Sequence, residues 1–302
     1  MTEATAGTYV AAEAPGYRRD RWRPIKKSLA YAVLIGFALL FIMPFLLALV
    51  TSFKSPPDFT RNAAQPWWDG SLGSPTLAGI ELLNSPSIRI PRWGFVSVVT
   101  SVSVTLGRVF LASLGGYALA RLRFPGRRLI FAMVLAVLMI PGVVLLVPKF
   151  IIMKELHILN TWFGLTLPIT FDYAFGLFLM KQFFEGLPRE MEESASIDGA
   201  STFQTFWRVM LPLAAPGLIA LTILSFQGSW NEFLHMLIAA PAEPDLRTLP
   251  VGLALLGGQF GQAQPQHAMM AASLITTIPM AVIFFTFQRY FIQGVAASGL
   301  KG

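Results

Sequence analysis

Residues 29–50 read LAYAVLIGFALLFIMPFLLALV, a run without a single charge. A helix needs about 20 apolar residues to cross the hydrocarbon core of a bilayer. The run therefore predicts a membrane span, with Pro44 as a bend. Six basic residues lead into it: Arg18, Arg19, Arg21, Arg23, Lys26 and Lys27. A basic stretch before an apolar one also describes a secretory signal, but this run is longer than an h-region and no small-residue cleavage site ends it. It reads as a retained first span.

Five further stretches reach spanning length, at 94–119, 129–148, 162–180, 213–238 and 267–288. The expected fold is all-α and polytopic: a six-span domain over 29–290 between an N-terminal tail, 1–28, and a C-terminal tail, 291–302. Composition agrees. Of the 302 residues 54% are hydrophobic and only 13% charged, against about 25% charged in soluble proteins. Too few charges remain to coat a water-facing surface.

The net charge of +7 would suggest nucleic acid in a soluble chain. Here its distribution points to the membrane instead. With the N-terminus inside, the inner segments hold six, four, three and two Lys and Arg, or 15 of the 23, and the outer segments hold seven. Arg108 lies within a span. This bias places both termini of a multi-pass membrane protein in the cytoplasm. No nucleic-acid partner is expected. Outside, segment 54–93 reads as a loop with little regular structure. The apolar stretch within 241–266 is too short to span; it reads as an interfacial helix or a loop dipping back.

Several chemistries are excluded. There is no cysteine, hence no disulfide or thiolate site. The chain has no Gly-Lys dipeptide and so no phosphate loop. No His-Glu-x-x-His occurs, and His157, His235 and His267 are scattered. No nucleophile elbow is present. No catalytic residue, metal site or cofactor of its own is expected.

The longest inner loop, 181–212, reads KQFFEGLPREMEESASIDGASTFQTFWRVMLP. It parses as two short helices joined by a glycine. Pro188 suits the first helical position, and Glu190, Glu192 and Glu193 suit the positive end of a helix dipole. Gly199 is placed as a C-terminal cap. Phe203, Phe206, Trp207 and Met210 recur at helical spacing as one apolar face. Pattern alone leaves two readings open, a helix lying on lipid or a docking element for a partner.

Glu193-Ser194-Ala195, then Gly199 after three residues, then Val209 and Leu211-Pro212, resembles the E-A-A loop of ATP-binding-cassette importer permeases; Asp198-Gly199-Ala200 strengthens the match. The departures are Ser194 for alanine and Val209 for isoleucine. Trp230-Asn231-Glu232-Phe233, Thr248-Leu249-Pro250-Val251-Gly252 and the terminal Gly299-Leu300-Lys301-Gly302 are similar to the carbohydrate-type branch, that of the maltose permease. The resemblance covers nearly all of the chain after its N-terminal tail.

The resemblance implies a type I importer permease fold and a set of partners: a second permease subunit, two ATPase subunits that hold ATP and Mg, and an external solute-binding protein delivering a carbohydrate or related polyol. It implies alternating access, with the loop seated in an ATPase cleft. Gly199 would set the turn and Ala195 would permit close approach to the ATPase. Glu193 would offer a carboxylate, and Asp198, Ala200, Leu211 and Pro212 complete the motif. Phe203, Phe206 and Trp207 would fill the socket or brace the knob on its own membrane domain. Lys301 and Gly302 would reach between the ATPase subunits.

Arg108 and Asp172 each fall well inside a span, where a charge costs roughly 2.5–3.5 kcal/mol on insertion scales and wants a partner or a wet cavity. The expectation is a mutual contact or a shared cavity. Trp230, Asn231 and Glu232 combine ring, amide and carboxylate, which suits a sugar pathway or else an interfacial anchor. Pro141-Gly142 and Pro168 mark bends. Two other classes compete: an ion-driven secondary transporter, which leaves the E-A-A loop without a use, and a membrane enzyme, which lacks its carboxylate cluster.

Overall fold

The computed structural model describes residues 23–54, 75–84, 88–259 and 266–299. Both tails fall largely outside them, including Lys301 and Gly302. Among the described residues all regular structure is helical. Two compact units are present, Met1–Leu47 and Ala48–Gly302. The first is dominated by α1 (Arg23–Ser52), which continues as helix through Pro44.

The second unit holds the remaining helices. A short α2 (Ala78–Leu83) lies in the segment expected to be irregular. Then comes α3 (Ile90–Arg121), whose 32 residues make it about 48 Å long at 1.5 Å per residue. It is the axis of the unit and packs on four of the later helices.

Three expected spans are broken rather than continuous. Helices α4 (Arg127–Leu138) and α5 (Leu146–Glu155), with a 3₁₀ turn over Gly142–Leu145 leading into α5, form a pair bent by 97°. The expected bend at Pro141-Gly142 is thus a right-angled turn, and 129–148 is not one straight span. Proline disfavours helical backbone at the residue before it, which ends α4 here.

Helices α6 (Trp162–Phe171) and α7 (Ala174–Gly186) meet at 45°. Pro168 lies inside α6, and the break comes at Asp172 and Tyr173. The next pair is bent by 78° at Ala214, where the arm Thr202–Leu213 gives way to α11 (Ala215–Trp230). The expected span 213–238 therefore ends at Trp230, and beyond it lies a separate α12 (Leu234–Ala239).

Helix α13 (Leu249–Gln259) occupies the stretch judged too short to span. It is a packed helix: Leu249, Val251 and Leu256 are buried, and a Cβ on Gly252 would collide with the Trp93 ring. The Leu249 N–H donates to Ser97 Oγ at 2.8 Å. Helix α14 (Gln266–Gly299) closes the chain. By length and apolarity α1, α3 and α14 can each cross a membrane, and the three bent pairs raise the count to as many as six.

Candidate functional site

The hairpin between α7 and α11 begins with α8 (Glu190–Ile197), with Glu190, Glu192 and Glu193 in its first turn as expected. Arg189 is its N-cap, so Pro188 sits just outside the helix rather than at its first position. The stop is a Schellman motif: Gly199 N–H reaches Ser196 O at 3.1 Å and Ala200 N–H reaches Ala195 O at 3.0 Å. Gly199 has φ +80°, in the left-handed region that glycine adopts without a side-chain penalty. Ser201 then opens α9 (Thr202–Thr205) with a capping box, trading hydrogen bonds with Gln204. The S-x-x-Q pattern was there to be read in the sequence.

The arm does not continue as regular α-helix. Phe206–Met210 forms a π-turn before α10 (Leu211–Leu213). Its wider winding splits the expected single apolar face in two. Phe206 and Met210 are buried among Tyr117, Met180 and Phe184; Phe206 lies 5.1 Å from the Tyr117 ring. Phe203 and Trp207 face outward instead, 67% and 51% exposed, and stack on each other at 6.4 Å. Ile197, at 86% exposed, adds an apolar knob at the tip. Glu193 and Asp198 are exposed, Ala200 and Leu211 half-buried, and Pro212 exposed.

Ala195 lies on the inner side of α8. Its side chain is buried within the chain, so its small size serves the packing of α8.

The broken spans form a second polar region. Pro168 has no N–H and so leaves the Gly164 carbonyl, four residues back, without its helical donor. His235 Nε2 supplies that donor at 2.9 Å. The break at Tyr173 likewise frees the Ile169 carbonyl, and Arg108 Nε donates to it at 2.8 Å. The Arg108 guanidinium lies 4.3 Å from the Tyr173 ring centroid. Irregular backbone at membrane depth is tolerated where neighbouring helices satisfy it in this way. His235 was missed in the sequence, although a histidine able to reach position i−4 of a proline is a signal once the fold is known.

The expected Arg108–Asp172 pair does not form. Asp172 is bonded to Lys149 of α5. Asp172 and Glu232 are nonetheless the carboxylates whose charge Arg108 feels, so the three share one electrostatic neighbourhood. Trp230 is neither an open sugar platform nor an interfacial anchor: it is 3% exposed, stacks on Phe226 and donates its indole N–H to Thr276 O at 3.3 Å. Glu232 accepts from the His235 N–H at 3.0 Å and thereby caps α12. Asn231 is exposed. Among the described residues no group of acidic, His or Cys side chains is arranged to hold a metal.

A helical bundle with broken spans and an ordered hairpin between two of them is the architecture of a membrane permease. The family of binding-protein-dependent transport system inner membrane components matches residues 112–297, and the chain belongs to it. Over 286 residues it is 34% identical to the trehalose/maltose transport system permease protein MalG of Thermococcus litoralis, covering 92% of this chain and 98% of that one. It is also 34% identical to the arabinooligosaccharides transport system permease protein AraQ of Halalkalibacterium halodurans, covering 91% and 97%. The fold matches a chain of the crystal structure of a bacterial ABC transporter involved in the import of the acidic polysaccharide alginate, with a TM-score of 0.73 at 23% identity over 92% of this chain and all of that one.

Proposed function

We propose that this chain is a permease subunit of an ATP-driven importer for a carbohydrate: an oligosaccharide, a disaccharide or a related polyol. Similarity at 34% along nearly the whole chain, to permeases named for trehalose/maltose and for arabinooligosaccharides, supports that substrate class. The partners are a second permease subunit, two ATPase subunits that bind ATP and Mg, and an external solute-binding protein. Both termini face the cytoplasm, and the hairpin lies on that side.

One observation carries the coupling role. The hairpin buries one aromatic edge, Phe206 with Met210, in its own bundle and presents another, Phe203 with Trp207 and Ile197, outward. A mount and a plug are thus built on the same short arm. Glu193 and Asp198 sit beside the plug as carboxylates for a basic or N–H partner. Closure of the ATPase dimer on ATP moves whatever is seated in its clefts. The spans then rock between inward and outward openings by rigid-body motion, with ATP shifting the population through its differential affinity for the two states. Arg108, Asn231 and Glu232 remain the candidates for the solute pathway.

The test removes the plug and leaves the mount. In Phe203→Ala with Trp207→Ala, the ATPase should no longer copurify in stoichiometric amount, while the two permease subunits stay together. Full retention of the ATPase would instead mean that the aromatic pair rests on lipid and that the coupling role is wrong.

A further inference from the structure

We propose that Arg121 is a clamp that makes the hairpin and α3 move as one body, a positioning role that rests on the coupling reading above. Arg121 is the last residue of α3, and its side chain is only 5% exposed. A guanidinium does not give up its proton in a protein, so a buried one must be met by fixed acceptors. Arg121 finds them on two other elements. Its Nη2 donates to the Phe184 carbonyl at 2.5 Å and also to the Leu187 carbonyl. Both acceptors lie at the C-terminal end of α7, where the helix dipole favours a cation. Its Nη1 lies 3.4 Å from the carboxylate of Glu192, in the first turn of α8.

The same carboxylate neighbours the Tyr117 hydroxyl, one turn earlier on α3. The Tyr117 ring in turn packs on Phe184 at 5.5 Å and Phe206 at 5.1 Å. The cytoplasmic end of α3 therefore holds the end of α7, the start of α8 and the π-turn together.

The chain's own connections do not achieve this. The hairpin joins the membrane domain through the non-helical link Leu187–Arg189 and through the 78° elbow at Ala214. Two such joints can flex and absorb a push. The clamp passes the push directly into α3 instead. At its other end α3 is fixed to segment 245–252: Arg89 pairs with Asp245, Arg92 Nε donates to Asp245 O at 3.0 Å, and Ser97 Oγ receives the Leu249 N–H. A displacement of the hairpin thus reaches the external end along one unbroken helix, bypassing the three bent pairs.

The absence of cysteine allows a direct test by pulsed electron resonance. Spin labels go on Ser196→Cys, in the last turn of α8, and Arg123→Cys, just past the end of α3; both positions are exposed. The assembled complex is held in lipid nanodiscs, nucleotide-free and ATP-bound. With Arg121 intact the separation between labels should not change with nucleotide. In Arg121→Met and in the milder Glu192→Gln it should become nucleotide-dependent, and solute carried per ATP hydrolysed should fall about fivefold or more, at the lower edge of measured coupling effects. Arg121→Lys keeps the charge but loses the planar fork, and should behave like Arg121→Met.

A nucleotide-dependent separation with Arg121 intact would overturn the clamp. So would an unchanged separation and transport ratio in Glu192→Gln and Arg121→Lys, the variants that carry the test should Arg121→Met fail to assemble. Failure of the coupling reading itself looks different: the ATPase would stay bound after removal of Phe203 and Trp207.

Discussion

His235 shows how one missing hydrogen shapes this molecule. Pro168 withholds a donor from Gly164 O, and a side chain from another helix repairs the loss at 2.9 Å. His235→Leu should cost about 1–3 kcal/mol, the usual penalty for leaving a buried polar group unpaired, read as a lower unfolding midpoint of the purified complex; His235→Gln should recover part of it. Gly199 makes the opposite case. A Cβ there meets nothing within 4 Å, yet φ is +80°. Gly199→Trp should therefore cost the chain only the left-handed backbone penalty, about 1–2 kcal/mol. If it abolishes transport-coupled ATPase activity in a complex that still assembles, the loss belongs to the partner's socket. The glycine could be read from sequence because a helix stop followed by a new cap has a local signature. The partner of Asp172 could not. Straight spans would put Arg108 and Asp172 both well inside the membrane, but the chain turns by 45° at Asp172 itself, and its partner is Lys149.

The same limit governs the helices. Hydropathy found every apolar stretch but could not tell a straight span from a bent pair, because transfer free energy depends on composition and not on direction. Pro141-Gly142 announced a break without announcing 97°. In the hairpin arm, spacing at i, i+3, i+4 and i+7 assumed 3.6 residues per turn, and the π-turn over Phe206–Met210 violates that assumption. π-turns recur at functional sites, and here the turn separates the buried Phe206 from the exposed Phe203 and Trp207. The separation is measurable. Phe206→Ala should destabilise the permease by about 3–5 kcal/mol, the range for emptying a buried aromatic site. Trp207→Ala, half exposed, should shift its stability by no more than about 0.5 kcal/mol while weakening retention of the ATPase. Thermal unfolding of the permease pair alone, set beside copurification from the full complex, checks both at once.

Across the whole chain, sidedness is what gives the two ends of α3 their meaning. The hairpin end gathers six arginines, Arg121, Arg123, Arg127, Arg128, Arg189 and Arg208, whereas the far end holds Arg89 and Arg92 beside Asp245; acidic residues count little toward orientation. Lys and Arg near span ends resist translocation, so the basic end should stay in the cytoplasm. Without native cysteine, single replacements report this directly: Ser196→Cys on the hairpin and Ala242→Cys beside the far cluster are both at exposed positions. A membrane-impermeant maleimide should label Ala242→Cys in intact cells and Ser196→Cys only in inverted vesicles. The reverse pattern would put the plug outside, where no ATP-driven subunit could meet it, and the long helix would then join the wrong pair of compartments. The expected pattern makes α3 a rod about 48 Å long between a cytoplasmic hairpin and the external segment 245–252. Docking outside and nucleotide binding inside would then act on opposite ends of one rigid element, and each must bias the other by the same free energy.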